Sequence, residues 1–484
     1  MAEDPGQVQT RRVSETPTIF VLFGATGDLA KRMVLPAFYT LAQKGLLPAD
    51  WRLIGNGRGD VAHEDFRGHV RDVLTEFGPK KSDGSWDDSA WEEFQKQVLF
   101  AGGGFNSDDP GSLLDVIEQT RQDIESAPGE TQFVHYIATP PVAFEETAKA
   151  LGAHGLAEGS RVVFEKPYGT SPESFQQLDQ TVLSVFKEEQ VFRIDHFLGK
   201  EATQNLHVVR FANQMFAGIW CKEFVAAVQI DVPETLDVAD RAGFYDATGA
   251  TKDMLVTHLL QVAAEVAMEP PVSMAAPDLQ EARESVISAF RPFDPAEVVL
   301  GQFEGYRDIE GIAADSTMDT FAAARLWIDT DRWRGVPFLL RTGKRMAASA
   351  QRVSLVLKAV DGPLNSVPEQ GNVVSFSLAG NGQLEETLVV KQPGTGLELA
   401  RADQKVVLQD LKDADPLPPY VALLNDVLTG DRSLFTSSSG LENAWRVAEP
   451  LLENRPTVES YSPDSWGPEA ARDLAAPGTW LLGQ

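Results

Sequence analysis

Cysteine is nearly missing from this chain: Cys221 is the only one in 484 residues. No intrachain disulfide can form, and no thiolate-based zinc site can be assembled. Positive charge is scarce too, with 42 lysines and arginines against 71 aspartates and glutamates, a net charge of -29. Binding to nucleic acid or to an anionic membrane needs a broad positive surface, so neither partner is expected. No run approaches the roughly 20 apolar residues that span a bilayer. The polar N-terminus, MAEDPGQVQTRRVSETPT, lacks the apolar segment of a secretory signal. A cytoplasmic, soluble protein is the expectation, with residues 1–16 a disordered tail. The histidines, at 63, 69, 135, 154, 196, 207 and 258, show no ligand spacing such as HExxH, and no metal is expected.

What is present is an ordinary globular composition, 43% hydrophobic and 23% charged, over a length that suits two or three domains. From residue 18 short apolar runs alternate with helical periodicity. TIFVLFG (18–24), WRLIGNG (51–57), QVLFAGG, QFVHYIAT and RVVFEKPYG read as strands buried on both faces. Between them lie segments such as DLAKRMVLPAFYTLAQKG, stopped at Gly45, and AHEDFRGHVRDVLTEFG. The rhythm predicts an α/β domain over 17–195, a Rossmann-like doubly wound parallel sheet with helices. Beyond it, helical stretches at 200–216 and 249–267 mix with period-two segments EFVAAVQIDV, FLLRTGK, RVSLVLKAV and NVVSFSLAG. These predict an α+β domain over 196–484, mainly antiparallel sheet backed by helices. PKKSDGSWDDS (79–89) and TSSSG (436–440) read as exposed loops.

The first strand runs directly into Gly24-Ala25-Thr26-Gly27-Asp28-Leu29 at the start of a helix. Glycines there let the backbone approach a pyrophosphate, and the helix N-terminus offers donors and a dipole. The spacing is GxxG, shorter than the full dinucleotide fingerprint, so its place at the first strand-to-helix turn carries the argument. After the second strand comes Gly57-Arg58-Gly59. A cation at that position favours the 2′-phosphate of NADP, whereas an acid would favour NAD. NADP is expected, with NAD possible because Asp60 follows closely.

Several motifs then stand in order: GATGDLAKR (24–32), EKPYG (165–169), RIDHFLGKE (193–201), DRAGFYDATGATKDM (240–254) and RTGKR (341–345). The ordered set resembles the glucose-6-phosphate dehydrogenase family over about residues 18–460. The resemblance implies oxidation of a sugar phosphate at C1, with hydride passing to nicotinamide. It implies His258 as general base, oriented by Asp195, with Lys166 between coenzyme and sugar. His196 and Lys200 would hold the 6-phosphate, Glu234 and Asp253 the sugar hydroxyls, and Lys344 would also reach the substrate. Asp253 itself lies five residues before His258, about 140° around an α-helix, which makes it a poor orienting partner. If 193–201 turns helical, His196 and Lys200 are i, i+4 neighbours on one face, and His207 continues their stripe. At least a homodimer or homotetramer is implied as well.

The chain departs from the family pattern around the substrate. Met33 stands where a second lysine follows DLAK, and Phe197 where a tyrosine follows the RIDH histidine. Thr257 replaces an asparagine before the base, and Ser349 a second cation five residues after Lys344. Charge-assisted hydrogen bonds to phosphate are worth roughly 1.5–3 kcal/mol each, so the losses need compensation, for which Arg345 and Arg352 lie close in sequence. The alternatives are a family member acting on a different sugar or sugar phosphate, and a non-catalytic nucleotide-binding regulator.

Overall fold

A computed structural model describes residues 13–124, 130–238, 241–364, 371–380 and 382–483. Residues 1–12 of the expected tail, and Asp240 of the fourth motif, lie outside the described residues. The chain forms two compact units. The first comprises the described residues of Met1–Gly169, Glu173–Gly199 and Leu417–Ser438, the second those of Thr170–Pro172, Lys200–Pro416 and Ser439–Gln484.

In the first unit the apolar runs become strands β1 (Thr18–Phe23), β2 (Trp51–Asn56), β3 (Val98–Ala101), β4 (Gln132–Ile137), β5 (Arg161–Phe164) and β6 (Val191–Ile194). All are parallel, in the order β6-β5-β4-β1-β2-β3, and a short antiparallel strand, Phe435–Thr436, adds outside β6. β1 is central and every residue of it is buried, which explains its unbroken apolar sequence. In register, Phe23 lies opposite both Asn56 and Ile137, so the carboxyl ends of β1, β2 and β4 finish level. The helix Leu35–Gln43 covers the sheet, and Phe38 meets Phe20 of β1 at a ring separation of 4.8 Å. Burying such a ring is worth roughly 1.5–3 kcal/mol. That helix ends at Gly45, φ +63°, where the Leu46 amide reaches back to the Leu41 carbonyl.

The helix Pro419–Thr429 returns to this unit through Arg161 at the start of β5. The Arg161 guanidinium donates to the Val427 and Leu428 carbonyls at 2.8 and 2.7 Å, capping the helix where Gly430 turns left-handed. TSSSG is not the exposed loop its polarity suggests. Thr436 pairs with β6, Ser437 is buried, and Ser438 begins the helix Ser438–Glu453 with its hydroxyl donated to Asp179 at 2.5 Å. A serine run serves as readily for a helix start as for a loop.

The second unit is built on a nine-stranded sheet. Its strands are β7 (Val225–Pro233), β8 (Val298–Phe303), β9 (Phe321–Leu326), β10 (Phe338–Gly343), β11 (Arg352–Leu357), β12 (Val373–Ser377), β13 (Gln383–Lys391) and β14 (Leu399–Val407), with Val458–Tyr461 at the edge beside β8. The order is β14-β13-β12-β11-β7-β10-β9-β8. Two pairings are parallel, β7 with β10 and β8 with Val458–Tyr461, and the rest are antiparallel. The period-two segments thus fall on strands as the alternation predicts. Helices Glu201–Ala212, Ala242–Ala250, Leu260–Ala267 and Ala276–Ser288 accompany this sheet. Among the described residues no helix is long and apolar enough to cross a membrane.

One histidine reports on the stability of the first sheet. His135 in β4 is fully buried, its Nε2 2.8 Å from the Leu156 carbonyl, and burial holds its pKa down to about 4. An unfolded histidine titrates near 6.5, so the unfolded chain takes up the proton first as pH falls. Stability from this group is complete above pH ~6.5 and is lost toward pH ~4, about 3 kcal/mol in total. Urea unfolding of His135→Gln followed between pH 7 and 4.5 should show a shallower loss than the wild type. Parallel curves would refute the assignment.

Candidate active site

In the first unit the candidate residues all follow the carboxyl ends of parallel strands, the place where such sheets bind ligands. After β1, Gly24 adopts φ +75° and comes so close to the next strand that a Cβ would sit 2.8 Å from the Ala138 carbonyl oxygen. The Gly24 and Ala25 amides donate to the Asn56 carbonyl at 3.1 and 3.2 Å, and the Gly27 amide to the Gly24 carbonyl at 2.8 Å. Thr26 and Asp28 are exposed, and Asp28 pairs with Arg32 at 2.7 Å. The first intrahelical bond runs from the Lys31 amide to the Gly27 carbonyl. The amides of Asp28, Leu29 and Ala30 precede it and form the donor set that a helix start presents to phosphate. Arg58 is exposed two residues beyond the end of β2.

Thr139, next to this turn after β4, was not singled out in the sequence. Its hydroxyl is buried without a partner among the described residues, and its amide lies 3.2 Å from where a Gly24 Cβ would stand. A glycine cradle that a methyl group would fill, beside an orphaned hydroxyl, fits a dinucleotide phosphate.

EKPYG follows β5, and the Lys166–Pro167 peptide is cis. Lys166 is half-buried. Glu165 beside it is buried and accepts from the Tyr136 and Tyr420 hydroxyls at 2.5 and 3.3 Å. Burial raises the Glu165 pKa, against the two tyrosines and Lys166, which lower it.

RIDHFLGKE follows β6 and divides its charges. Arg193 is buried, bonded to Asp179 at 2.7 Å and to Glu188 at 2.9 Å, with Tyr168 stacked 4.8 Å away. It anchors the strand. Asp195 is buried too, and its Oδ1 accepts from the Phe197 amide at 2.8 Å while its carbonyl accepts from the Leu198 amide. Asp195 therefore closes an aspartate-led turn rather than starting a helix. His196 lies in that turn and the helix begins only at Glu201, with Lys200 as its N-cap. The expected i, i+4 pairing of His196 and Lys200 on one helical face is corrected accordingly, and His207 continues no stripe with His196.

In the second unit Glu234 and Lys344 follow the neighbouring parallel strands β7 and β10 and form an ion pair. The Lys344 ammonium lies 5.5 Å from the centre of the Tyr245 ring. Tyr245 is buried, and burial raises its pKa well above the usual value, helped by Asp253, Asp319, Tyr461 and Glu234. The ring stands beside Lys344, and nothing in its spacing had marked it. Lys200 donates to Gln351.

His258 is fully buried and stands on a π-helix, Thr251–Leu259. The Leu260 amide bonds the Leu255 carbonyl, and the Thr257 hydroxyl bonds the Lys252 carbonyl at 2.7 Å, both five residues back. An α-helical angle between Asp253 and His258 therefore does not apply. The segment starts from Gly249, φ +65°, and Asp319 binds the Thr251 amide and hydroxyl at 2.7 and 2.9 Å. π-segments of this kind concentrate at functional sites.

Of the altered positions, Met33 is exposed and Phe197 is buried. The Ser349 hydroxyl accepts from the Thr235 amide at 2.9 Å. Arg352 reaches Ser354 and Glu385, while Arg345, at φ +52°, directly follows Lys344.

Comparison with known proteins covers most of the chain. The family model "Glucose-6-phosphate dehydrogenase, NAD binding domain" matches residues 21–205, and its C-terminal domain counterpart matches 207–480. Glucose-6-phosphate 1-dehydrogenase 2 of Mycobacterium tuberculosis is 36% identical over 483 residues, covering 95% of this chain and 93% of its own. The crystal structure of glucose-6-phosphate 1-dehydrogenase from Mycobacterium avium covers 97% of this chain and 99% of its own at 31% identity, with a TM-score of 0.85. A glucose-6-phosphate dehydrogenase in complex with glucose-6-phosphate covers 98% of this chain and 100% of its own at 28% identity, with a TM-score of 0.89. With the motifs in order along the chain and the two family models together matching residues 21–205 and 207–480, the chain belongs to the glucose-6-phosphate dehydrogenase family.

Proposed function

We infer that this protein oxidises glucose 6-phosphate at C1 to 6-phosphogluconolactone with NADP as acceptor, the entry step of the oxidative pentose phosphate pathway. The observation that carries this reading is the ordered match of both domains of one family over residues 21–480. NADP, when bound, would supply the hydride acceptor for C1. The Asp28 and Leu29 amides, with Gly24, Thr26 and Gly27, would hold its pyrophosphate, and Arg58 would meet the 2′-phosphate.

His258 takes the C1 hydroxyl proton, and its complete burial supports the role by keeping water from competing. Asp195 fixes the imidazole tautomer and stabilises the imidazolium that forms. His196 and Lys200 hold the 6-phosphate. Glu234, Asp253 and Lys344 bind sugar hydroxyls, and Lys166 lies between sugar and coenzyme. The enzyme works as a cytoplasmic homodimer or homotetramer, with no nucleic-acid or membrane partner.

Replacing His258 by asparagine should lower kcat by about 10²–10⁴-fold while glucose 6-phosphate still binds. A variant with near-normal kcat would overturn the assignment. Arg58→Ala should raise KM for NADP by about tenfold or more and leave KM for NAD nearly unchanged. Gly24→Ala should weaken both coenzymes alike. Equal effects of Arg58→Ala on the two coenzymes would remove the basis for NADP. A panel of free and phosphorylated sugars, read by absorbance of the reduced coenzyme, should give its highest kcat/KM with glucose 6-phosphate.

A further inference from the structure

Away from the reacting groups the second unit holds a charged cluster that the mechanism does not use. His207, on the helix Glu201–Ala212, and Arg283, on the helix Ala276–Ser288, both bind the carboxylate of Glu265 on the helix Leu260–Ala267. The His207 Nε2 lies 2.5 Å from Glu265 Oε2, and Arg283 forms an ion pair with the other oxygen. All three side chains are at most 4% exposed. Burial alone would raise the Glu265 pKa, but Arg283 and His207 bring it down to about 2, so the carboxylate stays ionised between them.

A second bond joins the same two helices one turn further on. Arg210, buried, donates to the Val266 carbonyl at 3.2 Å, and Trp220 donates to the same carbonyl at 2.8 Å. The first helix therefore grips the second through two polar side chains, His207 and Arg210, three residues apart on one face.

The spacing along each helix gives this clamp its meaning. His207 lies seven residues after Lys200, and Glu265 lies seven residues after His258. Lys200 caps the helix that carries His207, and the π-segment that carries His258 runs directly into the helix that carries Glu265. The clamp thus ties the helix that starts at Lys200 to the helix that continues from the His258 segment. A slip of one helix along the other would change the distance between those two groups directly.

We propose that His207 and Glu265 are positioning residues that set the spacing between Lys200 and His258, and so match the pocket to a sugar whose phosphate and C1 are a fixed distance apart. The proposal rests on the roles given above to Lys200 and His258.

His207→Leu removes the donor, and His207→Gln keeps one. Glu265→Gln keeps the size and removes the charge. Misplacement on the scale of an ångström costs about ten- to a hundredfold in catalysis, so His207→Leu and Glu265→Gln should lose about that much kcat/KM with glucose 6-phosphate, mainly through KM. KM for NADP should stay within about twofold, and His207→Gln should recover most of the loss. Free glucose carries no anion for Lys200, so its slow oxidation should change by less than about twofold. Parallel losses with both sugars, or a folded His207→Leu protein with wild-type kinetics and only a lower Tm, would overturn the proposal. A wild-type protein inert toward glucose 6-phosphate would overturn the reading beneath it as well, whereas an active wild type with unaffected variants would remove the positioning role alone.

Discussion

The buried guanidinium of Arg193 is the constraint on which the strand end carrying Asp195 depends. It is bonded to Asp179 on the helix Pro172–Val185 and to Glu188 in the loop before β6. Arg432 and Ser438, from the returning segment, complete the same network at Glu188 and Asp179. Removing one partner from such a buried pair leaves a charge uncompensated and costs about 3–5 kcal/mol. The network holds the end of β6 from both sides, so Asp195, two residues on, starts its turn from a fixed point. The arginine in RIDHFLGKE thus acts as an anchor for the strand end that carries Asp195.

A comparable division of labour runs through the second unit. The π-helix that carries Asp253 and His258 is irregular backbone, and irregular backbone persists only where its surroundings over-determine it. Asp319 supplies that determination. It binds the Thr251 amide and hydroxyl, it is itself paired with Arg455, and a side chain at Gly249 would collide with it at 2.7 Å. The wider register carries Asp253 and His258 on one short segment. An α-helix would have turned them about 140° apart.

Much of this was legible in the sequence, and the parts that were not share a cause. The strands were readable because a six-residue run such as TIFVLF has one physical explanation, burial on both faces. The Gly24–Leu29 turn was readable from two glycines at a strand end. The departures come where distant residues decide local structure. Period analysis assumes 3.6 residues per turn, so the wider register around His258 is invisible to it. The serine run at 437–439 looked like a loop because the Asp179 that receives Ser438 is 259 residues away. Asp195 carries a local signal, since aspartate favours closing a turn on its own backbone, but the charge pattern around it suggested a helix. Thr139 gave no pattern at all, and Tyr245, though inside the fourth motif, was not singled out there. They matter only by lying beside Gly24 and Lys344.

The positions where this chain departs from its family pattern show how a pocket absorbs the loss of charge. Ser349 cannot bind phosphate as a cation would, yet its hydroxyl accepts the amide of Thr235, the residue after Glu234, and so steadies the acid that Lys344 pairs with. Thr257 turns its hydroxyl back onto Lys252 and supports the wide helical register next to the base. Phe197 is 1% exposed and meets the His196 ring at 4.8 Å. At these three positions the side chain makes an internal bond or packing contact with a neighbour, while Met33 is exposed.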